Sequence, residues 1–308
     1  MGIGMPNNDL TEPISEVGSL METIPFPDTN DFPDGFSAIQ PAGRGTFAEI
    51  WKVRERATSN VFALKRLLPE YVDDEGARRL LLNESTAGHA VTGHHVVRVI
   101  QSDHNSSPPF NLLEWFDGST LGEQLESGQS LSIGSIIWIA RQCAQGLNDL
   151  ARAGYSHGDI KPDNIFLETG GAAKLIDLGF AEPIDEPPSL GQVRCITGTP
   201  EYMAPESCLR GTVNSQLRDM YSLGVVIFRL LAGQLPFEAA TVEQVLRLHG
   251  SARPPALREL CPSAPDELVK LVERLLAKQP VRRPQSFSSL IRELTALELE
   301  TLHARFAA

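Results

Sequence analysis

The sequence predicts an α+β protein of two lobes: a small β-rich lobe with one main helix, then a larger α-helical lobe. Two patterns carry this. Between Phe36 and about Trp115 the apolar residues mostly alternate or run β-branched, as strands do. Beyond Gly118 they recur at helical spacing instead, with Ile133, Ile136, Ile137, Ala140, Cys143, Ala144, Leu147 and Leu150 on one stripe. A length of 308 residues suits two lobes sharing a core.

Residues 1–35 stand apart. The segment through residue 36 holds seven acids, no Lys or Arg, and several prolines (Pro6, Pro13, Pro25 and Pro33 among them), which predicts an acidic, disordered tail. The β-rich lobe is expected over 36–116. FAEIWKV and VFALKRL read as strands joined by the turn-prone RATSN, a helix follows at 76–91, and VVRVI and FNLLEW supply two more strands. The helical lobe is expected over 117–308. Its helices fall at 133–153, 218–232, 241–248, 265–277 and 287–303, the last running close to the C-terminus.

Composition narrows the function. A formal net charge of −12 argues against nucleic acid as a partner, since phosphate backbones need a basic stripe. No apolar run reaches the roughly 20 residues of a spanning helix; the best, Tyr221–Ala232, is short and carries Arg229. The first ten residues lack the layout of a secretory signal, and Pro6 stands where a myristoylation motif needs Ser or Thr. Cys143, Cys195, Cys208 and Cys261 form no CxxC pair, which predicts reduced thiols and a cytoplasmic setting. Delivery into another cell would leave no trace in the sequence.

The chemistry concentrates in four stretches. Gly43 and Gly45 in AGRGTFAEIW would let backbone N–H groups approach phosphate oxygens, with Ala48 where a third glycine would stand. Lys65 ends the strand Val61–Lys65, and Glu84 on the following helix is the acid placed to hold it. In YSHGDIKPDNIF, Asp159 can accept the proton of an attacking hydroxyl and Lys161 can neutralise charge on a moving phosphoryl group. Asn164, with Asp177 from KLIDLG, supplies hard oxygens suited to magnesium.

In this order the stretches resemble the eukaryotic-like (Hanks-type) bacterial Ser/Thr protein kinases over about residues 36–290. GTPEYMAPE (198–206) resembles the end of the activation segment. DMYSLGVVIFRLLAGQLPF (219–237) resembles the helix beneath the catalytic loop, and Arg283 matches the arginine that pairs with the APE glutamate, here Glu206. The resemblance implies a bilobal protein-kinase-like fold, with ATP and Mg2+ (or Mn2+) as cofactors and protein hydroxyls as substrate. It implies Asp159 as base, Lys161 beside it, Thr199 bridging the two, and Asn164 and Asp177 on the metal. Lys65 with Glu84 would hold ATP, and Asp219 would brace the catalytic loop. For the nucleotide it implies Gly43, Gly45, Ile50, Ala63, Lys65, Asp177, the Glu114 carbonyl and the Phe116 amide, with Leu113 guarding the pocket behind them. Many bacterial kinases of this kind carry a membrane anchor and a sensor domain; this chain is expected to resemble the soluble minority.

Two alternatives share parts of the pattern. HGD followed by an asparagine also resembles small-molecule phosphotransferases of the aminoglycoside and choline type, which lack counterparts of Lys161, YMAPE, Asp219 and Arg283. A nucleotide-binding pseudokinase would have lost Lys65, Asp159 or Asp177, and all are present. The departures from the family are Ala48, Leu178 in DLG, and Gly88, which is expected to leave a gap one turn after Glu84 and a mobile helix. Gly158 stands where many kinases place an arginine, a non-RD pattern. Between Asp177 and Glu206 the only basic residue is Arg194, against six acids. A phosphate on Ser189 or Thr197 would find little to dock on, so activity independent of activation-loop phosphorylation is expected. Asp163 and the acidic segment favour basic peptides. Cys195 is expected to be an incidental thiol. The tail, with Thr11, Ser15, Ser19, Thr23 and Thr29, is a candidate for autophosphorylation and for contact with a regulator or cognate phosphatase.

Overall fold

The structure, a computed structural model, describes residues 32–184, 198–208 and 215–307. Most of the predicted tail, together with Ser189, Cys195 and Thr197, lies outside the described residues.

The small lobe is a five-stranded antiparallel sheet built from β1 (Phe36–Arg44), β2 (Ala48–Glu55), β3 (Val61–Leu67), β4 (Val99–Asp103) and β5 (Phe110–Glu114) in the order β1-β2-β3-β5-β4. Strand periodicity sorts its side chains onto two faces. Phe36, Trp51, Val53, Leu64, Phe110 and Leu112 bury one face, and Phe32 packs on it edge-to-face against Trp51 at 5.5 Å. Phe32 lies in the stretch assigned to the tail, so the packed lobe begins a few residues before 36. The opposite face carries Ala63, Lys65 and Leu67 of β3 and Asn111 and Leu113 of β5 towards the cleft and towards α1 (Glu75–Ala90). Asp74 caps α1 by accepting from the Ala77 N–H at 2.7 Å. Ala77, Leu81, Glu84, Ser85, Ala87 and Gly88 line its buried side.

The expected gap at Gly88 is absent. A Cβ there would lie 2.3 Å from Val99 Cγ2 and 3.8 Å from Leu178 Cδ1. Val99 fills the space, and the glycine is what allows α1 to approach β4.

The large lobe is helical: α2 (Leu121–Glu126), α3 (Ile133–Arg152), α4 (Ser215–Ala232), α5 (Val242–Ser251), α6 (Leu257–Leu260), α7 (Asp266–Leu275) and α8 (Phe287–Ala307). The α3 stripe is buried as its spacing required: Ile136, Ile137, Ala140, Cys143, Ala144, Leu147 and Leu150 join a core with α4, α7 and α8. Burial pushes the Cys143 thiol up to about 12, so it stays protonated. α4 is described from Ser215 and already covers the three residues before its predicted start. Its buried residues occupy most of its circumference, as suits a helix packed on all sides.

Short strands supply the frame of the cleft floor: β6 (Gly118–Thr120), β7 (Tyr155–Ser156), β8 (Ile165–Glu168), β9 (Ala173–Leu175) and β10 (Glu182–Pro183). β6, β8 and β9 form one sheet, while β7 pairs with β10. Leu175 joins the lobes by donating to the His95 carbonyl and accepting from Val97 N–H, both at 2.8 Å.

Candidate active site

The cleft between the lobes collects nearly every residue singled out by the sequence. From β3, Lys65 Nζ reaches Glu84 Oε1 and Asp177 Oδ1, each at 2.9 Å. Burial alone would pull the Lys65 ammonium down, but Asp177 and then Glu84 outweigh it and hold it above the ordinary lysine range. Burial likewise works against ionised Asp177, and Lys65 overrides it, so that carboxyl sits below its usual value. Asp177 has φ +61°, a conformation costly for a residue with a Cβ, and its Oδ1 also accepts from the Gly179 N–H at 3.3 Å.

The catalytic-loop stretch runs from β7 to β8. Asp159 is buried, and its Oδ1 accepts the Thr199 N–H at 2.8 Å. Lys161 Nζ lies 3.0 Å from Asp159 Oδ2 and donates to Thr199 Oγ1 at 2.8 Å, so Thr199 joins both residues. Asn164 Nδ2 donates to the Asp159 carbonyl at 2.8 Å and to its Oδ2 at 3.0 Å. Beneath the loop, Asp219 of α4 accepts the N–H groups of His157 at 2.8 Å and Gly158 at 2.9 Å. Burial raises the Asp219 pKa, with His157 and those two N–H donors opposing it.

Gly158 has a local reason to be glycine. Its φ is +82°, and a Cβ would lie 2.3 Å from the Phe180 carbonyl oxygen. The backbone passes too close to the start of the activation segment for any side chain.

Arg283 closes the lower end of the site. It grips Glu206 through two nitrogens, at 2.5 and 2.8 Å, donates to the carbonyls of Leu217 and Ala277, and stacks over Tyr221 at 4.9 Å.

On the upper side, Ile50, Ala63, Leu113, Trp115 and Phe116 gather with Val97, Val99 and Ile176 into an apolar cluster at the junction of the lobes. Ile176, the neighbour of Asp177, had no signal of its own beyond a buried-looking strand. The Glu114 side chain is occupied by Arg98 N–H at 3.0 Å and Lys174 Nζ at 3.1 Å, which fixes the chain at the lobe junction. In the glycine loop, Gly45 N–H donates to the Ala48 carbonyl at 2.8 Å and closes the turn. Added Cβ atoms at Gly43 and Gly45 would meet other protein atoms only at 3.9 and 3.6 Å. Among the described residues no packing demands those glycines, which fits a loop shaped around something it covers.

The donor set also fits magnesium. Asn164 turns its amide nitrogen to Asp159, which leaves Oδ1 pointing elsewhere, and Asp177 gives only Oδ1 to Lys65 and Gly179. Among the described residues no donor meets Asn164 Oδ1 or Asp177 Oδ2. Two hard oxygens without a proton donor suit an ion that keeps waters and binds phosphate oxygens.

A bilobal fold with a lysine–glutamate pair above and an Asp–Lys–Thr–Asn set below defines a phosphotransferase cleft of the kinase type. The protein kinase domain family matches residues 36–294, and the chain belongs to that family. It is 30% identical over 277 residues to the serine/threonine-protein kinase pkn2 of Myxococcus xanthus, covering 88% of this chain and 33% of that protein. It is 28% identical over 268 residues to pkn3 of the same organism, covering 84% and 49%. PknD of Mycobacterium tuberculosis is 28% identical over 256 residues, covering 83% and 38%. The chain thus spans about a third to a half of the length of these curated relatives. Among the described residues no helix is long and apolar enough to cross a membrane.

Proposed function

We propose that this chain is a protein-serine/threonine kinase that transfers the γ-phosphoryl group of ATP to protein hydroxyls. The observation that carries the proposal is Asp159, whose two oxygens are held by Thr199 N–H on one side and by Lys161 and Asn164 on the other. In this reading Asp159 accepts the proton of the substrate hydroxyl as its oxygen bonds to the γ-phosphorus and the bond to ADP breaks. Lys161 balances negative charge at that point, and Thr199 keeps it aligned with Asp159. Lys65, held by Glu84, orients the nucleotide phosphates, while the apolar cluster of Ile50, Ala63, Leu113 and Phe116 takes the adenine. Asn164 and Asp177 would hold Mg2+, which would neutralise phosphate charge when bound.

The finer parts of the proposal have their own support. A basic peptide is the favoured substrate. Asp163 supports this: it is exposed and sits one residue before Asn164, where a cationic side chain of a bound peptide could meet it. Gly158 removes a cation that would otherwise call for a loop phosphate, hence non-RD control without activation-loop phosphorylation. Use of ATP makes the cytoplasm the proposed place of action. A regulator or phosphatase acting through the acidic tail remains part of the proposal on charge alone.

The test is phosphate transfer from Mg-ATP to the chain itself and to a basic Ser/Thr peptide, with an aminoglycoside as a separate acceptor. Transfer to protein or peptide that Asp159→Ala and Lys65→Met abolish is the expected result. No transfer from wild type, equal transfer from Asp159→Ala, or transfer only to the aminoglycoside would overturn it.

A further inference from the structure

We infer that Asn111, backed by His104, is a positioning residue that holds Glu84 on Lys65. The activity arm of its test rests on the kinase reading above. The structural arm does not.

β3 and β5 pair antiparallel, and Lys65 and Asn111 are cross-strand partners. Directly paired residues project from the same face of a sheet, here the face covered by α1. Glu84 therefore meets one side chain from each strand. Lys65 Nζ takes Oε1 at 2.9 Å, and Asn111 Nδ2 donates to Oε2 at 3.0 Å. The second N–H of that amide goes to the Leu81 carbonyl at 2.9 Å, one turn earlier on α1.

Two acceptors against one end of the amide make that end the nitrogen, so Asn111 Oδ1 faces away from α1. There it meets His104 Nε2 at 3.1 Å, which must then carry a proton. Ser85 Oγ lies 3.3 Å from the same nitrogen and gives its own proton to the Leu82 carbonyl at 2.9 Å. Arg78 of α1 donates to the His104 carbonyl at 2.7 Å, tying the segment between β4 and β5 to the helix.

Asn111 is 0% exposed and lies between Phe110 and Leu112 on a buried strand. An amide is tolerated there only while it is bonded. Its donors both end on α1, so a swing of Glu84 away from Lys65 would leave one Nδ2 hydrogen of Asn111 unbonded where water cannot reach. The amide turns the loose approach of a helix to a sheet into a set distance.

The experiment compares the full chain with Asn111→Leu, which keeps the branched heavy-atom skeleton and removes the polar groups. The readouts are kcat, the KM for Mg-ATP and for peptide, Tm, and hydrogen exchange along α1. The expected result is a fall in kcat of about tenfold, the rate equivalent of one hydrogen bond to a charged group. Peptide KM stays near wild type, Tm falls by a few degrees as Glu84 Oε2 and His104 lose a buried partner, and amides at 81–88 exchange faster. In a Glu84→Gln background the same change costs little more, because the lysine–carboxylate pair that Asn111 positions is already lost. His104→Leu loses part of the rate, and His104→Gln, which can donate the same bond, recovers most of it. Wild-type kcat with unchanged α1 exchange in Asn111→Leu would overturn the inference, as would an equal tenfold loss on top of Glu84→Gln. If wild type transfers no phosphate, the kinase reading falls, and α1 exchange still decides whether Asn111 anchors the helix.

Discussion

At Gly88 and Gly158 the surroundings, rather than the helix or loop they belong to, decide what a substitution does. Alanine is the better helix former by up to about 1 kcal/mol, yet at Gly88 its Cβ would overlap Val99 Cγ2. Gly88→Ala is therefore expected to destabilise by about 1–3 kcal/mol, the usual cost of overpacking, read from urea unfolding. Stabilisation would mean that Val99 moves aside freely. Gly158→Arg, which would restore a cation to the loop, meets both a positive φ and the Phe180 carbonyl. It is expected to lose stability by about 1–3 kcal/mol through backbone strain and to lower phosphate transfer. Full activity with unchanged stability would show that the glycine serves only to omit a charge. Both glycines were visible in the sequence, but their meaning depended on atoms 11 and 22 residues away.

At the scale of elements, the long ones were legible. α1, α3, α5, α7 and α8 fall within a few residues of their predicted bounds because each presents an apolar stripe at helical spacing. β6, β7 and β10, of two or three residues each, were not, because their existence depends on a partner strand and not on a local pattern. The Arg283–Glu206 pair shows elements held together by one buried contact: it links the segment before α4 to the one before α8. Arg283→Ala is expected to cost about 3–5 kcal/mol because it leaves Glu206 buried without its partner. Arg283→Lys should recover little of that, since an ammonium cannot reproduce the two-nitrogen grip. Denaturant midpoints of the two variants decide it, and a near-neutral Arg283→Ala would contradict the assignment.

For the whole molecule, pH and phosphorylation give the remaining predictions. His249 is buried, accepts from Tyr221 OH at Nδ1 (2.8 Å) and donates from Nε2 to the Glu201 carbonyl (3.0 Å). Burial and the nearby Lys278 push its pKa down to about 4. The unfolded chain takes up that proton near pH 6.5, so between about 6.5 and 4 it binds more protons than the folded one. Stability from this group therefore falls as pH drops through that window and levels off below it, by an amount on the order of 3 kcal/mol. His249→Gln should flatten the slope of unfolding free energy against pH between 4 and 6.5; an unchanged slope would rule His249 out as its source. Separately, Ser189→Ala combined with Thr197→Ala is expected to leave peptide phosphorylation near wild type. Its loss with the fold intact would show that the activation segment needs a phosphate after all.

By itself, the sequence determined which chemical groups the cleft contains, their order along the chain, and the two-lobed division. Those depend on residue identity and on periodicities of two and 3.6 residues, which are local. Only the tertiary structure decided how the groups meet. It brought Lys65 onto Asp177 across 112 residues and Arg283 onto Glu206 across 77. It also filled the space beside Gly88 with Val99 and set Asn111 across the sheet from Lys65. A buried asparagine among leucines has no pattern to announce it. Its role follows from which acceptors surround it, and these come from another element of the fold.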